Sequence, residues 1–260
     1  MTNRSEIKII FVDIDWTLYD HQKKQFIASG LRALKKARKN GVKVIICSGR
    51  HYYSIQGLGA FDAIPHDGYI CTNGGIAFAD GKYIIINVID PKTIYKVIEL
   101  CKKHHLGLQL MRPDSAILVG EETDFVKWYF EGWVETRPPH DEYKGEEITS
   151  CLLYCTEESE KYFKNIKAHI NRFYDQGMDI YAKEYSKDQG VQAILDYYSF
   201  SKDEAMAFGD DIPDIDMFKC VKYSIAMGNA KDELKKSSFH VTDHIAKHGL
   251  RKALKKYKVI

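Results

Sequence analysis

Apolar residues along this chain follow two rhythms. Short, nearly unbroken runs over Ile7 to Val12, Val42 to Cys47 and Tyr69 to Thr72 predict buried strands. Between the first two, Ile27, Leu31, Leu34 and Ala37 recur at helical spacing within Phe26 to Asn40, and Gly41 supplies a stop signal. A second helix is expected over His51 to Leu58. Strands without polar alternation, separated by helices, predict a parallel sheet covered on both faces.

The rhythm then changes. Asp80-Gly81, between Ile76 to Phe78 and Tyr83 to Val88, is a hairpin signal. Pro91 to His104 predicts a helix with proline in its first turn. Strands are expected over Leu106 to Leu110, Ala116 to Val119, Ile148 to Cys155 and Met178 to Ala182. Helices are expected over Asp124 to Glu131 and Glu157 to Phe173. The polar stretch Gly132 to Glu147, which carries Pro138-Pro139, predicts a loop. Alternation resumes near residue 184, with a helix over Gly190 to Tyr198 and strands over Ala205 to Phe208 and Tyr223 to Ala226. The expected fold class is therefore α/β: a Rossmann-like parallel-sheet core interrupted by an α+β insert. The core is expected over residues 1–80 and 184–260, and the insert over 81–183.

Composition narrows the class. With 260 residues, 45% of them hydrophobic and 28% charged, the chain can bury a large core without disulfides or metals. A net charge of +2 gives no reason to expect a nucleic-acid partner. The longest apolar runs, near residues 8–12 and 83–89, are too short to span a membrane. The polar first residues speak against an export signal. The six cysteines form no C-x-x-C pair and read as reduced core thiols in a cytoplasmic protein. His240, His244 and His248 could share a helix face and hold a metal, but Thr242-Asp243 signals a turn and Gly249 a break.

The chemistry gathers after the strands. Asp13-Ile14-Asp15-Trp16-Thr17 follows the first strand directly. If the strand conformation persists, Asp13 and Asp15 project to the same side. Two carboxylates forced together call for a neutralising cation, and a hard ion such as Mg2+ meets that need. One could then attack phosphorus while the other handles protons. Ser48-Gly49-Arg50 follows the second strand, where a hydroxyl and backbone N–H groups could cradle a phosphate; Ser48 could equally cap the next helix. Gly209-Asp210-Asp211-Ile212-Pro213-Asp214 follows a third strand and adds acids suited to a metal.

The order D-x-D-x-T, S-G-R, G-D-x-x-x-D resembles the haloacid dehalogenase superfamily of aspartate-nucleophile phosphatases. Asn73-Gly74-Gly75 and Ala226-Met227-Gly228-Asn229-Ala230 resemble its Cof-type branch, which carries an α+β cap. The resemblance implies Asp13 as nucleophile and Asp15 as general acid/base, with its backbone carbonyl on Mg2+. It implies Thr17 as a support of that loop and Ser48 as the phosphate-binding hydroxyl, with Gly49 and Arg50 beside it. Asp210 is implied as a metal ligand and Asp214 as the acid supporting the metal shell. Asn73 and Gln189 complete the expected phosphate and substrate contacts.

Three positions depart from the pattern. Trp16 replaces a usual glycine, and Pro213 a usual asparagine. The family places a lysine before the glycine that opens a helix, and here Gln189 precedes Gly190. Lys187 could take that role on an extended loop, with Lys183 the weaker candidate. The implied activity is a Mg2+-dependent phosphatase acting on small phosphorylated metabolites such as sugar phosphates, with no nucleic-acid or membrane partner and the oligomeric state left open. The competing reading is a weakened scaffold that binds a phosphorylated ligand in a regulatory role. Trp133 and the loop Arg137 to Lys144 could read the leaving group, although a plain surface loop explains them as well.

Overall fold

The computed structural model describes residues 6–132, 136–175 and 177–260. It separates into two compact units. One is built from the chain up to Arg50, Gly59–Ile85 and Tyr185–Ile260; the other from His51–Leu58 and Ile86–Glu184. The short helix Tyr52–Gly57 therefore belongs with the insert, and the hairpin strand starting at Lys82 begins in the core unit.

The core unit is organised by an eight-stranded sheet. Its order is His240–Val241, Tyr223–Ala226, Ala205–Gly209, Ile9–Val12, Lys43–Cys47, Gly68–Cys71, Ile76–Ala79, Lys82–Ile86. Pairing is parallel from the first strand to Gly68–Cys71 and turns antiparallel at Ile76–Ala79. Ile9–Val12 is wholly buried, as its unbroken apolar run demands. On one side it pairs with Lys43–Cys47, the next parallel strand in the chain. On the other it pairs with Ala205–Gly209, which the chain reaches only after the insert. This reversal of strand order is a topological switch point, where open α/β sheets form sites beyond their carboxyl ends. Register places Val12 beside both Phe208 and Ile46, so Asp13, Gly209 and Cys47 leave the sheet at one level.

The core packs Phe11, Ile45, Ile70, Val191, Ile194 and Met217 into one cluster. Burial of each such side chain contributes roughly 1.5–3 kcal/mol. The helix Lys187–Tyr198 lies hard against the sheet at Gly190, where a Cβ would come within 2.5 Å of Ile70 Cγ2. Only glycine permits that approach, and it carries the first turn of the helix, with Lys187, to the strand ends.

The second unit holds a five-stranded antiparallel sheet. Its order is His169–Tyr174, Gly177–Tyr181, Ser150–Tyr154, Gly107–Met111, Ala116–Gly120. The helix Pro91–Lys103 starts as its proline predicts, with the Asp90 carboxylate accepting from the Lys92 N–H at 2.8 Å. Ile94, Val97, Leu110, Leu153, Phe163 and Ile180 form the core of this unit.

One expectation fails. The helix expected over Glu157 to Phe173 is only a 3-10 turn over Glu157–Tyr162, and His169–Tyr174 is an edge strand. Tyr162, Ile166 and Ile170 have helical spacing, yet each packs against the insert core without a continuous α-helix joining them. Pairing of Ile170 with Ile180 and of Arg172 with Met178 overrides the local pattern. Arg172 also donates to Glu160 and to the Cys155 carbonyl, which fastens the strand to the turn.

His240 lies on a strand, His244 caps a 3-10 turn and His248 precedes the last helix, so the three share no helix face. All six cysteines are free, and five of them are buried. No helix among the described residues is long and apolar enough to cross a membrane. Trp133 lies outside the described residues. Two charged side chains of the loop at residues 137–144 pair locally: Arg137 with Glu122 at 2.6 Å, and Lys144 with Asp141 at 3.0 Å.

Candidate active site

Beyond the carboxyl ends of the central strands lies one cavity. From the loop after Ile9–Val12 it takes Asp13, Asp15 and Trp16; after Lys43–Cys47, Ser48, Gly49 and Arg50; after Gly68–Cys71, Asn73. The helix Lys187–Tyr198 contributes Lys187, and the loop after Ala205–Gly209 contributes Asp210, Asp211, Pro213 and Asp214.

Lys187 is the electrostatic centre. Its Nζ donates to Asp13 Oδ1 at 2.9 Å, to Asp214 Oδ1 at 2.6 Å and to the Cys47 carbonyl at 3.1 Å. The side chain is 4% exposed. Burial alone would drive its proton off, but the Asp13 and Asp214 charges outweigh burial and hold Lys187 well above its usual pKa. Of the two lysines open from the sequence, Lys187 is the one in the cavity, and it stands where Gln189 offers no charge. Gln189 is exposed on the helix and does not line the cavity.

Asp214 braces the acidic loop rather than facing it. Its Oδ2 accepts the N–H groups of Asp210 at 2.9 Å and Asp211 at 3.2 Å. A Cβ on residue 209 would meet that oxygen at 2.4 Å, which explains the glycine that opens the motif. Pro213 suits the start of the helix Asp214–Lys219, where a backbone donor has no partner to lose. Thr17 is buried and donates to Asp210 Oδ1 at 3.3 Å; it ties two loops together and does not line the cavity.

Asp13, Asp210 and Asp214 each present a carboxylate oxygen, all within 4.8 Å of one another. Burial pushes the Asp13 carboxyl well up, and the nearby Asp214 and Asp210 charges add to it against the pull of Lys187. Burial and the Asp214 charge likewise push Asp210 up to about 7, against the Thr17 hydrogen bond. Three carboxylates against one ammonium leave an oxygen-lined, negative site. That donor set fits a hard divalent cation.

Asp15 is different. Burial raises its carboxyl, but hydrogen bonds from His21 and Arg50, and their charges, prevail and hold it well below the usual range. Arg50 grips it through Nε at 2.8 Å to Oδ2 and Nη2 at 2.9 Å to Oδ1. Ser48 is buried, and its Oγ accepts the Arg50 N–H at 3.2 Å. The following helix takes His51, not Ser48, at its cap position. Gly49 lies so close to Asn73 that a Cβ there would meet Asn73 Oδ1 at 2.9 Å. Sequence spacing did not reveal His21, whose Nε2 lies 2.6 Å from Asp15 Oδ1. Nor did it reveal the brace from Asn229, whose Nδ2 donates to the Trp16 carbonyl at 2.8 Å.

The sequence profile of the haloacid dehalogenase-like hydrolases matches residues 10–254. The chain belongs to that family. It is 25% identical over 251 residues to phosphoglycolate phosphatase 1 of Saccharolobus solfataricus, covering 96% of this chain and 95% of the relative. A hypothetical protein of Geobacillus kaustophilus HTA426 superposes with a TM-score of 0.87 at 26% identity, over 98% of this chain and 100% of that one. The subclass IIB sugar phosphatase BT4131 superposes with a TM-score of 0.75 at 27% identity, over 97% and 100% of the two chains. This chain is an enzyme of the phosphatase class within the haloacid dehalogenase-like hydrolases.

Proposed function

We propose that this haloacid dehalogenase-like hydrolase is a Mg2+-dependent phosphatase of small phosphorylated metabolites, sugar phosphates among them, working through an aspartyl-phosphate on Asp13. The observation that carries the reading is one buried ammonium, Lys187 Nζ, 2.9 Å from Asp13 Oδ1 at the mouth of an acidic cavity. Lys187 occupies Oδ1, which leaves Oδ2 of Asp13 to attack phosphorus. Ser48, the Gly49 backbone, Arg50 and Asn73 bind the phosphoryl oxygens. As phosphoryl oxygens draw Arg50 away and bring negative charge beside it, Asp15 takes up a proton from solvent. It passes that proton to the leaving oxygen as the bond from phosphorus to that oxygen breaks, and an alcohol departs. Asp15, now a carboxylate, takes a proton from the water that attacks the aspartyl-phosphate. Asp13, Asp210 and the Asp15 carbonyl would hold Mg2+, with Asp214 fixing the loop, and the bound ion would offset charge on the transferring group.

The sugar phosphatase BT4131, similar over nearly the whole chain, supports the substrate class. The free, mostly buried thiols suit a reducing, cytoplasmic setting. The ligand-binding alternative drew on Gln189 and Pro213, and the seat of Lys187 supplies the charge that Gln189 lacks. Phosphate release from an aryl phosphate, with and without Mg2+, tests the reading. Mg2+-dependent turnover that disappears in Asp13→Asn supports it; wild-type turnover no greater than that of Asp13→Asn sinks it.

A further inference from the structure

His21 reaches Asp15 from a turn that is built to place it. The strands Tyr19–Asp20 and Gln25–Phe26 pair antiparallel. The buried Asp20 carboxylate closes the turn by accepting the N–H groups of Gln22 at 3.0 Å and Lys23 at 3.2 Å. Two aromatic rings then fix the imidazole: Tyr19 meets it edge-on at 5.0 Å between centroids, and Trp16 lies tilted at 5.3 Å. Trp16 itself has a φ of 56°, a region that bulky residues rarely adopt. It is held there by its own N–H to the Tyr19 carbonyl at 2.9 Å and by the Asn229 amide. Backbone strain of this kind persists only where the surroundings impose it.

Asp15 thus has two partners with different prospects. Arg50 lines the cavity, and incoming phosphoryl oxygens compete with Asp15 for its guanidinium. His21 is absent from the cavity lining and has no such competitor. We infer that His21 is a positioning residue that keeps the Asp15 carboxyl aimed at the leaving-group oxygen during phosphoryl transfer. The inference rests on the phosphatase reading above. In that step the bond from Asp13 to phosphorus forms and the bond from phosphorus to the leaving oxygen breaks. The proton that Asp15 takes up from solvent when phosphoryl oxygens displace Arg50 passes to the departing oxygen, and the resulting carboxylate again accepts the His21 Nε2–H.

The test compares an alkyl phosphate, whose alkoxide needs that proton, with p-nitrophenyl phosphate, whose phenolate leaves without it. The quantity to compare is kcat/KM, which reports events up to leaving-group departure and not hydrolysis of the aspartyl-phosphate. A positioned general acid contributes roughly 10²–10⁴-fold, so in His21→Ala the alkyl-to-aryl ratio of kcat/KM should fall about tenfold or more. His21→Phe keeps the packing against Trp16 and Tyr19 and should show the same fall, which covers an alanine variant that does not fold. His21→Gln, whose amide can reach the same oxygen, should recover most of the ratio. An unchanged ratio in His21→Phe, whether both rates fall together or neither does, overturns the assignment while leaving the phosphatase reading intact. Wild-type protein without Mg2+-dependent turnover of either ester overturns both.

Discussion

In the core unit, the strand ends bring the carboxylates of Asp13, Asp210 and Asp214 within 4.8 Å of one another and set a single ammonium against them. In the inserted unit, three buried hydroxyls meet complementary partners. The Tyr154 hydroxyl donates to Gln109 Oε1 at 2.6 Å, Thr149 Oγ1 to the Met111 carbonyl at 3.1 Å, and the Tyr181 hydroxyl to Asp179 Oδ2 at 2.8 Å. Both units bury polar groups in comparable depth. The inserted unit pairs these three hydroxyls with acceptors, whereas the core unit crowds like charges and so raises two carboxyl pKa values. Crowding of that sort is what a site for a cation and a phosphoryl group requires, and it is costly without them.

The difference can be broken most sharply at Asp13. Asp13→Asn should abolish phosphate release while leaving the metal-free fold at least as stable, because it removes one of the crowded charges. Turnover assays paired with thermal melts without metal check both halves. Next comes Lys187→Met. It leaves Asp13 and Asp214 facing each other in a buried site, so it should lower kcat about 10²–10³-fold. It should also destabilise the protein by about 3 kcal/mol, read from urea unfolding.

The pH response separates the units further. Asp210 has a pKa of about 7 against an ordinary 3.8, so the folded state holds a proton that the unfolded chain has released. Its contribution to stability is therefore fully present below pH 3.8, falls as pH rises, and levels off above about 7. A cation must displace that proton, so Mg2+ affinity should rise at least about tenfold per pH unit below 7, the raised Asp13 carboxyl adding to the rise. Calorimetric titration at several pH values checks the slope. The smallest effect belongs to the insert. Tyr154→Phe strands the buried Gln109 Oε1 and should cost about 1–3 kcal/mol in urea unfolding, with the pH dependence of Mg2+ binding unchanged.

Much of the fold was legible because unbroken apolar runs separated by helical spacing have few other readings. The strands before Asp13, Ser48 and Asp210 each form where that pattern places them. Glu157 to Phe173 misled because Tyr162, Ile166 and Ile170 keep helical spacing by coincidence, while their partners lie on Gly177–Tyr181 and in the insert core. Within the site, acidic residues directly after strands were readable, since strand ends on one sheet edge must converge. Lys187 was readable only as an alternative, because its seat depends on how closely Gly190 packs on Ile70. Gln189 matched a motif position, yet the helix turns it outward. His21 left no signal, because its contact with Asp15 depends on the Asp20-stabilised turn and two aromatic walls.

The central claim is that the Asp13 carboxylate takes phosphorus onto itself. Mixing enzyme, Mg2+ and a phosphate ester, quenching in acid within a single turnover and mapping peptides by mass spectrometry tests it directly. The account predicts a transient phosphoryl adduct on Asp13 that forms before free phosphate and decays as phosphate accumulates. Phosphate released at full rate with no adduct on Asp13, or with the adduct on another residue, would contradict it.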